Sequence, residues 1–212
     1  MKHIVKTEEE WHKLRGTVIT ASAAAVLVGA DPYSSIKSLK EPSTFTGNAF
    51  TRVGQMLEPV VVNVVNDVLG THFELFESIK DVKEFYTIER LGATPDAHED
   101  RKILLECKTT RPQTYVKYSA VPPSKYLIQL IVQLICTELT TGYLAIMSTN
   151  LTQATATLKW PISVFKVWTN NEICNILKEE AQRFTENKVF RVDQKKKQLV
   201  KLLLPLTYER VI

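Results

Sequence analysis

A short apolar segment that ends in charged residues constrains the fold of this chain more than any other feature. The apolar residues 103–105 lead into Glu106, Cys107 and Lys108, and a Pro-Asp pair ends at Asp96, ten residues before Glu106. Side chains alternate between the two faces of a strand, so Glu106 and Lys108 share one face. If Asp96 ends a neighbouring strand, two carboxylates and an ammonium group meet at one place. Such a group suits a divalent metal ion and an attacking water.

The acid-x-Lys spacing is common in this chain and carries little information alone. It begins at five acids, namely Asp81, Asp100, Glu106, Glu186 and Asp193. Only the copy at Glu106 follows an apolar run with a Pro-Asp pair upstream, and the other four are typical of solvated surface charge. The alternative for Glu106 and Lys108 is an exposed ion pair beside a strand. Charges that directly follow an apolar run favour the functional interpretation.

Size and composition indicate one soluble domain. The chain has 212 residues, of which 44% are hydrophobic and 24% charged, and its net charge of +4 permits a polyanionic partner without requiring one. The sequence shows neither a signal peptide nor an apolar run long enough for a membrane, which predicts a cytoplasmic protein without membrane partners. Cys107, Cys136 and Cys174 lack metal-ligand spacing and are expected to be buried free thiols. His98 is expected on the surface of a loop.

Helical and strand patterns alternate along the chain and predict an α/β protein. A capping box at Thr7 and Glu10 starts a first helix that carries Trp11 inward and ends near Arg15. A small-residue helix capped by Thr20 or Ser22 follows and stops at Gly29. Residues 31–47 are expected to form a loop with at most one short helix, and residues 96–102 a polar turn. Further helices are predicted at 48–69, 114–118, 125–139, from 170 or 171 to 187, and 192–204, and strands at 73–76, 85–88, 103–107, 143–148 and 155–160.

Two of these helices carry polar residues at informative positions. On helix 48–69, Arg52, Gln55 and Glu58 form a polar stripe, and the same helix has a buried face expected at Val60, Val61, Val64, Val65 and Val68. Pro59 should kink or restart this helix just after Glu58, which makes Glu58 an active-site candidate. An exposed helical face is an equally good explanation of the stripe.

On the apolar helix 125–139, Tyr126, Gln129 and Gln133 share one face. Buried amides require hydrogen-bond partners, and the Asp96 and Glu106 region is the nearest candidate.

The roles of two features, Ser22 and a run of lysines, remain open from the residues alone. Ser22 is either a plain N-cap or, together with a nearby arginine, part of a phosphate site. The lysines at 195–197 are typical of a solvated face, with DNA contact as the alternative.

These pieces together resemble the phage lambda exonuclease and YqaJ-type viral recombinase family, a branch of the PD-(D/E)xK nucleases. The resemblance covers residues 11–147 through five motifs: Arg15 with 19–22, Gly54 with Glu58 and Pro59, 94–96, 106–108, and Tyr126 with Gln129. It implies a central mixed β-sheet flanked by helices, with a restriction-endonuclease-like core. The expected organisation is a single nuclease domain over 1–212, with a core at about 11–160 and a helical C-terminal extension at 161–212.

The resemblance also implies an activity. The expected enzyme is a Mg²⁺-dependent 5′-to-3′ exonuclease that acts on ends of double-stranded DNA and leaves 3′ overhangs for recombination by strand annealing. Two ions per site are expected, with Mn²⁺ as a substitute. A single-strand annealing protein and a ring-shaped homotrimer are the implied partners. A non-catalytic DNA-end-binding module and an endonuclease on the same fold remain as alternatives.

Carried to this chain, the resemblance assigns metal binding to Asp96, Glu106 and the carbonyl group of Cys107. Lys108 would orient and activate the water, Glu58 would assist at the metal, and Gln129 would position the water or the phosphate. Supporting roles fall to Tyr126 and Gln133. The terminal 5′-phosphate would be held by Arg15 and Ser22, with Thr94 and Arg111 as further candidates, although the spacing of Arg111 does not match well. Ala97 stands where the family often has glycine.

Overall fold

The computed structural model describes residues 1–40, 49–76, 83–150, 160–187 and 189–212. Over these residues it confirms the α/β fold class, with two mixed sheets and helices packed against them. The strands are β1 (Lys2–Val5), β2 (Ile19–Thr20), β3 (Glu74–Leu75), β4 (Lys83–Ile88), β5 (Leu91–Ala93), β6 (Ala97–Glu99), β7 (Ile103–Thr110), β8 (Thr141–Ser148), β9 (Ile162–Trp168) and β10 (Tyr208–Arg210). The helices are α1 (Glu8–Arg15), α2 (Ala21–Ala24), α3 (Ile36–Lys40), α4 (Ala49–Leu69), α5 (Pro112–Tyr118), α6 (Ser124–Thr137), α7 (Asn171–Glu186) and α8 (Gln194–Leu203).

The larger sheet runs in the order β10-β9-β8-β7-β6-β3, and its pair β7–β8 is parallel. Because side chains alternate along β7, Leu105 packs into the core that contains Val61 and Val65 of α4. Leu104 packs into the other core, with the apolar residues of α6. The sheet therefore lies between α4 and α6, and Glu106 and Lys108 share the α6 side with Leu104.

The smaller sheet has the order β1-β4-β5-β2 and brings the N-terminal segment to the centre of the chain. Strands β2 and β5 are parallel, with Thr20 paired with Gly92. A Cβ atom on Gly92 would lie 2.5 Å from Cγ2 of Val18 and 2.7 Å from Cζ of Phe85, so only glycine fits there. The residues that follow β2 and β5 leave the sheet at the same edge.

Helix α4 is continuous through Pro59, so the predicted restart after Glu58 is wrong. Proline cannot donate to the carbonyl group four residues earlier, which here belongs to the exposed Gln55. The buried face of α4 is formed by Val61, Val62, Val64 and Val65. Val68 was expected on this face but is 44% exposed in the last turn of the helix.

Two local predictions were wrong, and in both cases tertiary pairing overrides the local sequence. The predicted turn at 96–102 contains β6, which is only three residues long but is held between β3 and β7. His98 on β6 is therefore buried, with its ring 4.5 Å from that of Phe76, and is not on the surface. The strand predicted at 155–160 falls, apart from Trp160, outside the described residues, and β9 begins after it at Ile162.

The C-terminal part contributes to both the helical layer and the larger sheet. Asn170 caps α7 as predicted, and Asp193 caps α8. The buried Glu180 of α7 pairs with Arg183 on the same helix and, at 2.9 Å, with Lys196 of α8. Lys196 is therefore a structural ion-pair residue and not part of a solvated face. Strands β9 and β10 extend the sheet beyond β8.

Two smaller expectations concern thiols and membranes. The three cysteines are free, as predicted, although only Cys136 is fully buried. Among the described residues, no helix has both the length and the apolar character needed to cross a membrane.

Candidate active site

The register of β6 and β7 brings the two predicted metal-binding acids together. Ala97 pairs with Leu105 in this antiparallel pair, which places Asp96 beside Glu106. Oδ2 of Asp96 accepts a hydrogen bond of 2.8 Å from the backbone N–H group of Cys107. Asp96 directly precedes β6, the strand beside β7, and β5 before it belongs to the smaller sheet, so the expectation that Asp96 ends a strand next to β7 is wrong. The backbone of β7 itself therefore fixes the position of the Asp96 carboxylate.

The carboxylate of Glu106 is fully buried and has donors at both oxygens. Oε1 accepts a hydrogen bond of 2.5 Å from Nε2 of Gln129 and forms an ion pair with Lys108. Oε2 accepts a hydrogen bond of 2.5 Å from Nε2 of Gln133. The predicted partnership between the amides of α6 and this acid is therefore present. A charge buried this deeply requires such partners.

Lys108 remains charged in this environment. Burial lowers the pKa of its ammonium group, but attraction to Glu106 and Asp96 and the bond to Glu106 together outweigh burial, so the net pKa is raised. The ammonium group also lies 5.5 Å from the ring centre of Tyr126 on α6. In this state Lys108 can donate hydrogen bonds and neutralise negative charge.

The site gathers three acidic side chains, those of Asp96, Glu106 and Glu58, around the single ammonium group of Lys108. Burial raises the pKa of Asp96 well above its ordinary value, and repulsion from Glu106 and, more weakly, Glu58 adds to this effect. Lys108 and the N–H group of Cys107 act in the opposite direction but do not cancel it. Carboxylates that repel one another in a buried place are favourable ligands for a cation.

Glu58 reaches this site because α4 packs closely on the end of β7. A Cβ atom on Gly54 would lie 3.5 Å from Oγ1 of Thr109, an ordinary contact distance, so this turn of α4 packs against the end of β7. Glu58 follows one helical turn later and is half-buried, whereas Arg52 and Gln55 of the same predicted stripe are exposed. Burial, together with repulsion from Asp96, Glu58 and Glu106, raises the pKa of the Cys107 thiol well above its ordinary value. The thiol therefore stays protonated, and the oxygen of its carbonyl group is the better metal ligand.

A second cluster forms at the edge where β2 and β5 end. Ser22 and Thr94 each follow, by two residues, one member of the Thr20 and Gly92 pair. Ser22 is exposed, and its hydroxyl group lies 3.2 Å from that of Thr20. Oγ1 of Thr94 accepts a hydrogen bond of 3.3 Å from Nε1 of Trp11. Thr94 is only two residues from Asp96, so the cluster adjoins the acidic site.

Arg15 joins this cluster through Trp11. Its guanidinium carbon lies 4.2 Å from the ring centre of Trp11, one helical turn earlier on α1. Burial lowers the pKa of Arg15, and among the described residues no carboxylate forms a salt bridge with it. A half-buried arginine without a carboxylate partner is a good binding site for an anion.

Trp11 was not identified as a site residue from the sequence. Its i, i+4 spacing to Arg15 was the available signal, because this spacing places two side chains on one face of a helix.

The remaining predicted residues lie near the same end of β7. Arg111 is exposed at the N-cap of α5, directly after β7. Tyr126 is half-buried, with its ring 5.3 Å from Nζ of Lys125 and 6.0 Å from the ring of Tyr118. Burial raises the pKa of Tyr126, so its hydroxyl group stays protonated.

Whether these residues fit a metal ion depends on their donor atoms. In the parts of the chain that the structure covers, no three His, Cys, Asp or Glu side chains are gathered tightly enough to form a metal-binding group. Two carboxylates, Asp96 and Glu106, do adjoin each other, with the backbone of Cys107 between them in β7. Oxygen donors with unbalanced negative charge fit a hard divalent cation such as Mg²⁺.

Comparisons with known proteins agree with this architecture. The family model described as the YqaJ-like viral recombinase domain matches residues 10–140, well over half of the chain. The fold is similar to that of an alkaline exonuclease (LHK-Exo) from Laribacter hongkongensis, with a TM-score of 0.63 and 18% identity over 94% of this chain and 100% of that chain. A structure of LHK-Exo in complex with dAMP matches with a TM-score of 0.60 and the same identity and coverage.

A phage related exonuclease from Haemophilus somnus 129PT matches with a TM-score of 0.64 and 14% identity over 91% of this chain and 99% of that chain. At these identities the structural likeness establishes the fold. No curated protein sequence gives a significant match.

Proposed function

The chain belongs to the family of YqaJ-like viral recombinase domains and is a nuclease, and from this premise we propose that it is a 5′-to-3′ exonuclease. Its proposed substrate is the end of linear double-stranded DNA, and its proposed cofactor is Mg²⁺, with Mn²⁺ as a substitute. The observation that carries the proposal is the position of Asp96 beside the fully buried Glu106, with Lys108 bonded to Glu106. The half-buried Arg15 next to this site supports action at a phosphorylated end.

In the proposed mechanism, Asp96, Glu106 and the carbonyl group of Cys107 would hold the divalent cation, with Glu58 assisting from α4. When bound, the cation lowers the pKa of water and stabilises charge on the phosphate oxygens, and a second ion would act on the leaving oxygen. Burial, and after it repulsion from Glu106 and Glu58, raises the pKa of Asp96, and this repulsion supports the assignment.

Lys108 and Gln129 would act on the water and the scissile phosphate. Both contact Oε1 of Glu106 and both are only half-buried, so their donor groups lie where a phosphodiester can reach them. The ammonium group of Lys108 would orient the attacking water and neutralise charge that develops on the phosphate. The amide of Gln129 would position the water or a phosphate oxygen.

Arg15, Ser22 and Thr94 would bind the terminal 5′-phosphate, with Trp11 holding the guanidinium group of Arg15 and the hydroxyl group of Thr94 in place. Because Thr94 is two residues from Asp96, the pocket and the cutting site would be adjacent. This arrangement would select an end rather than a sequence, since phosphate contacts carry no base information. Arg111 remains a candidate for a second arginine of the pocket.

The test is digestion of three duplex substrates with and without Mg²⁺: linear DNA with 5′-phosphates, linear DNA with 5′-hydroxyl ends, and covalently closed circles. We expect Mg²⁺-dependent loss of one strand from the phosphorylated substrate, slower loss from the hydroxyl-ended substrate and an intact circle. The Arg15→Ala variant should remove the difference between the two linear substrates.

Each of the other results would indicate a different activity. Cleavage of the circle would make it an endonuclease on the same fold, and binding without cleavage in Mg²⁺ and Mn²⁺ would make it a DNA-end-binding module. Equal digestion of both linear substrates by the unmodified protein would refute the phosphate pocket.

We also propose, from the family resemblance, that the products are 3′ overhangs used by a single-strand annealing protein, and that the whole chain, as one nuclease domain, forms a ring-shaped trimer. Sequencing of the remaining strand and light scattering of the purified protein test these two points.

A further inference from the structure

Gln133 lies at a position where an apolar side chain would be expected. Of the nine buried residues of α6, it alone carries an amide, and it is 1% exposed. Ile131 and Leu134 on the same helix belong to the large hydrophobic core around it. At this degree of burial Gln133 can touch neither solvent nor DNA. Any role in the reaction must therefore pass through another residue.

The contacts of the Gln133 amide identify that residue. Nε2 donates a hydrogen bond of 2.5 Å to Oε2 of Glu106, whereas Oε1 is buried and has no hydrogen-bond partner among the described residues. The reversed amide would place Oε1 against the carboxylate, where two acceptors repel each other. The orientation of the amide is therefore determined by Glu106. An unpaired buried carbonyl oxygen lowers stability, so this arrangement does not serve the core.

The hydrogen-bond donors around Glu106 are of two kinds: some can be reached by a substrate, and one is buried in the core. Lys108 and Gln129 contact Oε1 and are half-buried, so both lie within reach of a substrate. Gln133 contacts Oε2 from inside the core. If substrate draws Lys108 and Gln129 away, Gln133 still fixes the carboxylate at its inner oxygen.

We propose that Gln133 is a positioning residue that holds the carboxylate of Glu106 in the orientation required to bind a divalent cation. The proposal rests on the proposed function in one respect, namely that Glu106 binds such an ion. Residues that orient a metal ligand without touching the metal typically contribute about 10–100-fold to affinity or activity. The unpaired buried oxygen of Gln133 is the energetic cost of this orientation.

The test replaces Gln133 with methionine, which has a similar length and shape but cannot donate a hydrogen bond. Thr137→Val is the matched control, because it also removes a polar group one turn later on α6, where the Thr137 hydroxyl bonds only to backbone carbonyl groups. The readouts are the melting temperature without metal, its rise with Mg²⁺, the half-saturating Mg²⁺ concentration and the separate kcat and KM values for 5′-phosphorylated duplex.

For Gln133→Met we expect a half-saturating Mg²⁺ concentration raised, or kcat lowered, by about 10–100-fold. The Mg²⁺-dependent rise in melting temperature should shrink. The melting temperature without metal should change little, because the lost hydrogen bond and the removed unpaired oxygen have opposite effects. KM for DNA should stay unchanged, because Gln133 does not reach the surface. Thr137→Val should keep the Mg²⁺ response of the unmodified protein.

Normal Mg²⁺ responses in Gln133→Met would overturn the positioning role. A large fall in metal-free stability that parallels the fall in activity would also overturn it, in favour of a purely structural role. If Gln133→Met does not fold, Gln133→Leu gives the same readouts. A third outcome is possible: the unmodified protein cleaves no DNA but is stabilised by Mg²⁺, and the Gln133→Met variant is not stabilised. In that case the nuclease proposal fails while the positioning role stands. No Mg²⁺ response in the unmodified protein refutes both.

Discussion

At the scale of single residues, charge balance decides how the site works. Lys108 stays protonated because its attraction to Glu106 and Asp96 exceeds the effect of its own burial. Burial and its acidic neighbours also raise the pKa of Asp96, but for a carboxyl group a raised pKa favours the neutral form. A single ammonium group thus lies beside two adjacent acidic groups, and a divalent cation would supply the positive charge that both need to stay ionised.

Replacement of Lys108 by alanine should abolish Mg²⁺-dependent degradation of linear DNA, with a loss on the order of 10²–10⁴-fold. The reason is that no other described residue offers an ammonium group beside Glu106. Binding of a 5′-phosphorylated duplex end should persist, since Arg15 and Ser22 lie on other elements. Gel-shift assays and strand-specific digestion measure the two effects.

Lys102→Ala is the control for this variant, because Lys102 is exposed in the turn before β7. Degradation that persists in Lys108→Ala would remove Lys108 from the mechanism.

At the scale of elements, the smaller sheet is attached to the hairpin that carries the site. Glu84 on β4 accepts hydrogen bonds from Arg101, in the turn between β6 and β7, at 2.8 and 3.1 Å. It also accepts one from Tyr86 and pairs with Lys2 of β1 at 2.6 Å. Burial raises the pKa of Glu84, but these bonds outweigh burial and lower the pKa to about 2. Ionised Glu84 therefore holds β1, β4 and the β6–β7 turn together.

Glu84→Gln should lower the free energy of unfolding at pH 7 by about 1–2 kcal/mol, a value reduced for the solvent exposure of Arg101 and Lys2. A carboxyl group whose pKa is lower in the folded state stabilises the protein above its unfolded pKa, here near 4.5, and this stabilisation disappears as the pH falls toward 2. The difference between the variant and the unmodified protein should thus shrink from pH 7 to pH 3.5 in urea titrations.

Glu89→Gln, which changes an exposed acid directly after β4, should give little difference at either pH. An undiminished difference for Glu84→Gln at pH 3.5 would show that the ionised form of Glu84 is not what stabilises this junction.

At the scale of the whole molecule, the site lies where three separate parts of the chain meet. The β6–β7 hairpin supplies Asp96, Glu106 and Lys108, while α6 supplies Gln129 and Gln133 from one face of the sheet. Helix α4 brings Glu58 to the end of β7, where Gly54 packs near Thr109. Metal binding would therefore connect elements that are far apart in the sequence, and ligand binding to the folded state raises its stability.

Addition of Mg²⁺ at about 100 times its dissociation constant should stabilise the protein by about 2.7 kcal/mol. For a chain of this length the corresponding rise in melting temperature is roughly 5–10 °C. EDTA should reverse the rise, and Asp96→Asn should largely abolish it because a ligand is lost. Thermal scans with Mg²⁺, Ca²⁺ or EDTA measure the effect.

A rise of equal size in Asp96→Asn would place the ion elsewhere on the molecule.

The amino-acid sequence by itself determined most of the long elements and the candidate residues for chemistry. The capping box at Thr7, the amphipathic α4 and the apolar run before Glu106 are local patterns, and local patterns specify local structure. The polar positions of α6 were equally visible, because an amide on an apolar helix requires a partner. These features were enough for the fold class and for most candidate site residues.

Only the tertiary structure decided what depends on pairing between distant segments. Strand β6 is too short to be recognised alone and exists because β3 and β7 flank it, which is why His98 is buried. The parallel pairing of β2 with β5 places Ser22 and Thr94 at one edge of the sheet, and the Trp11 ring joins Arg15 to Thr94. Which oxygen of Glu106 each amide contacts is likewise a matter of packing. No local pattern encodes such contacts, because they depend on the relative placement of elements far apart in the chain.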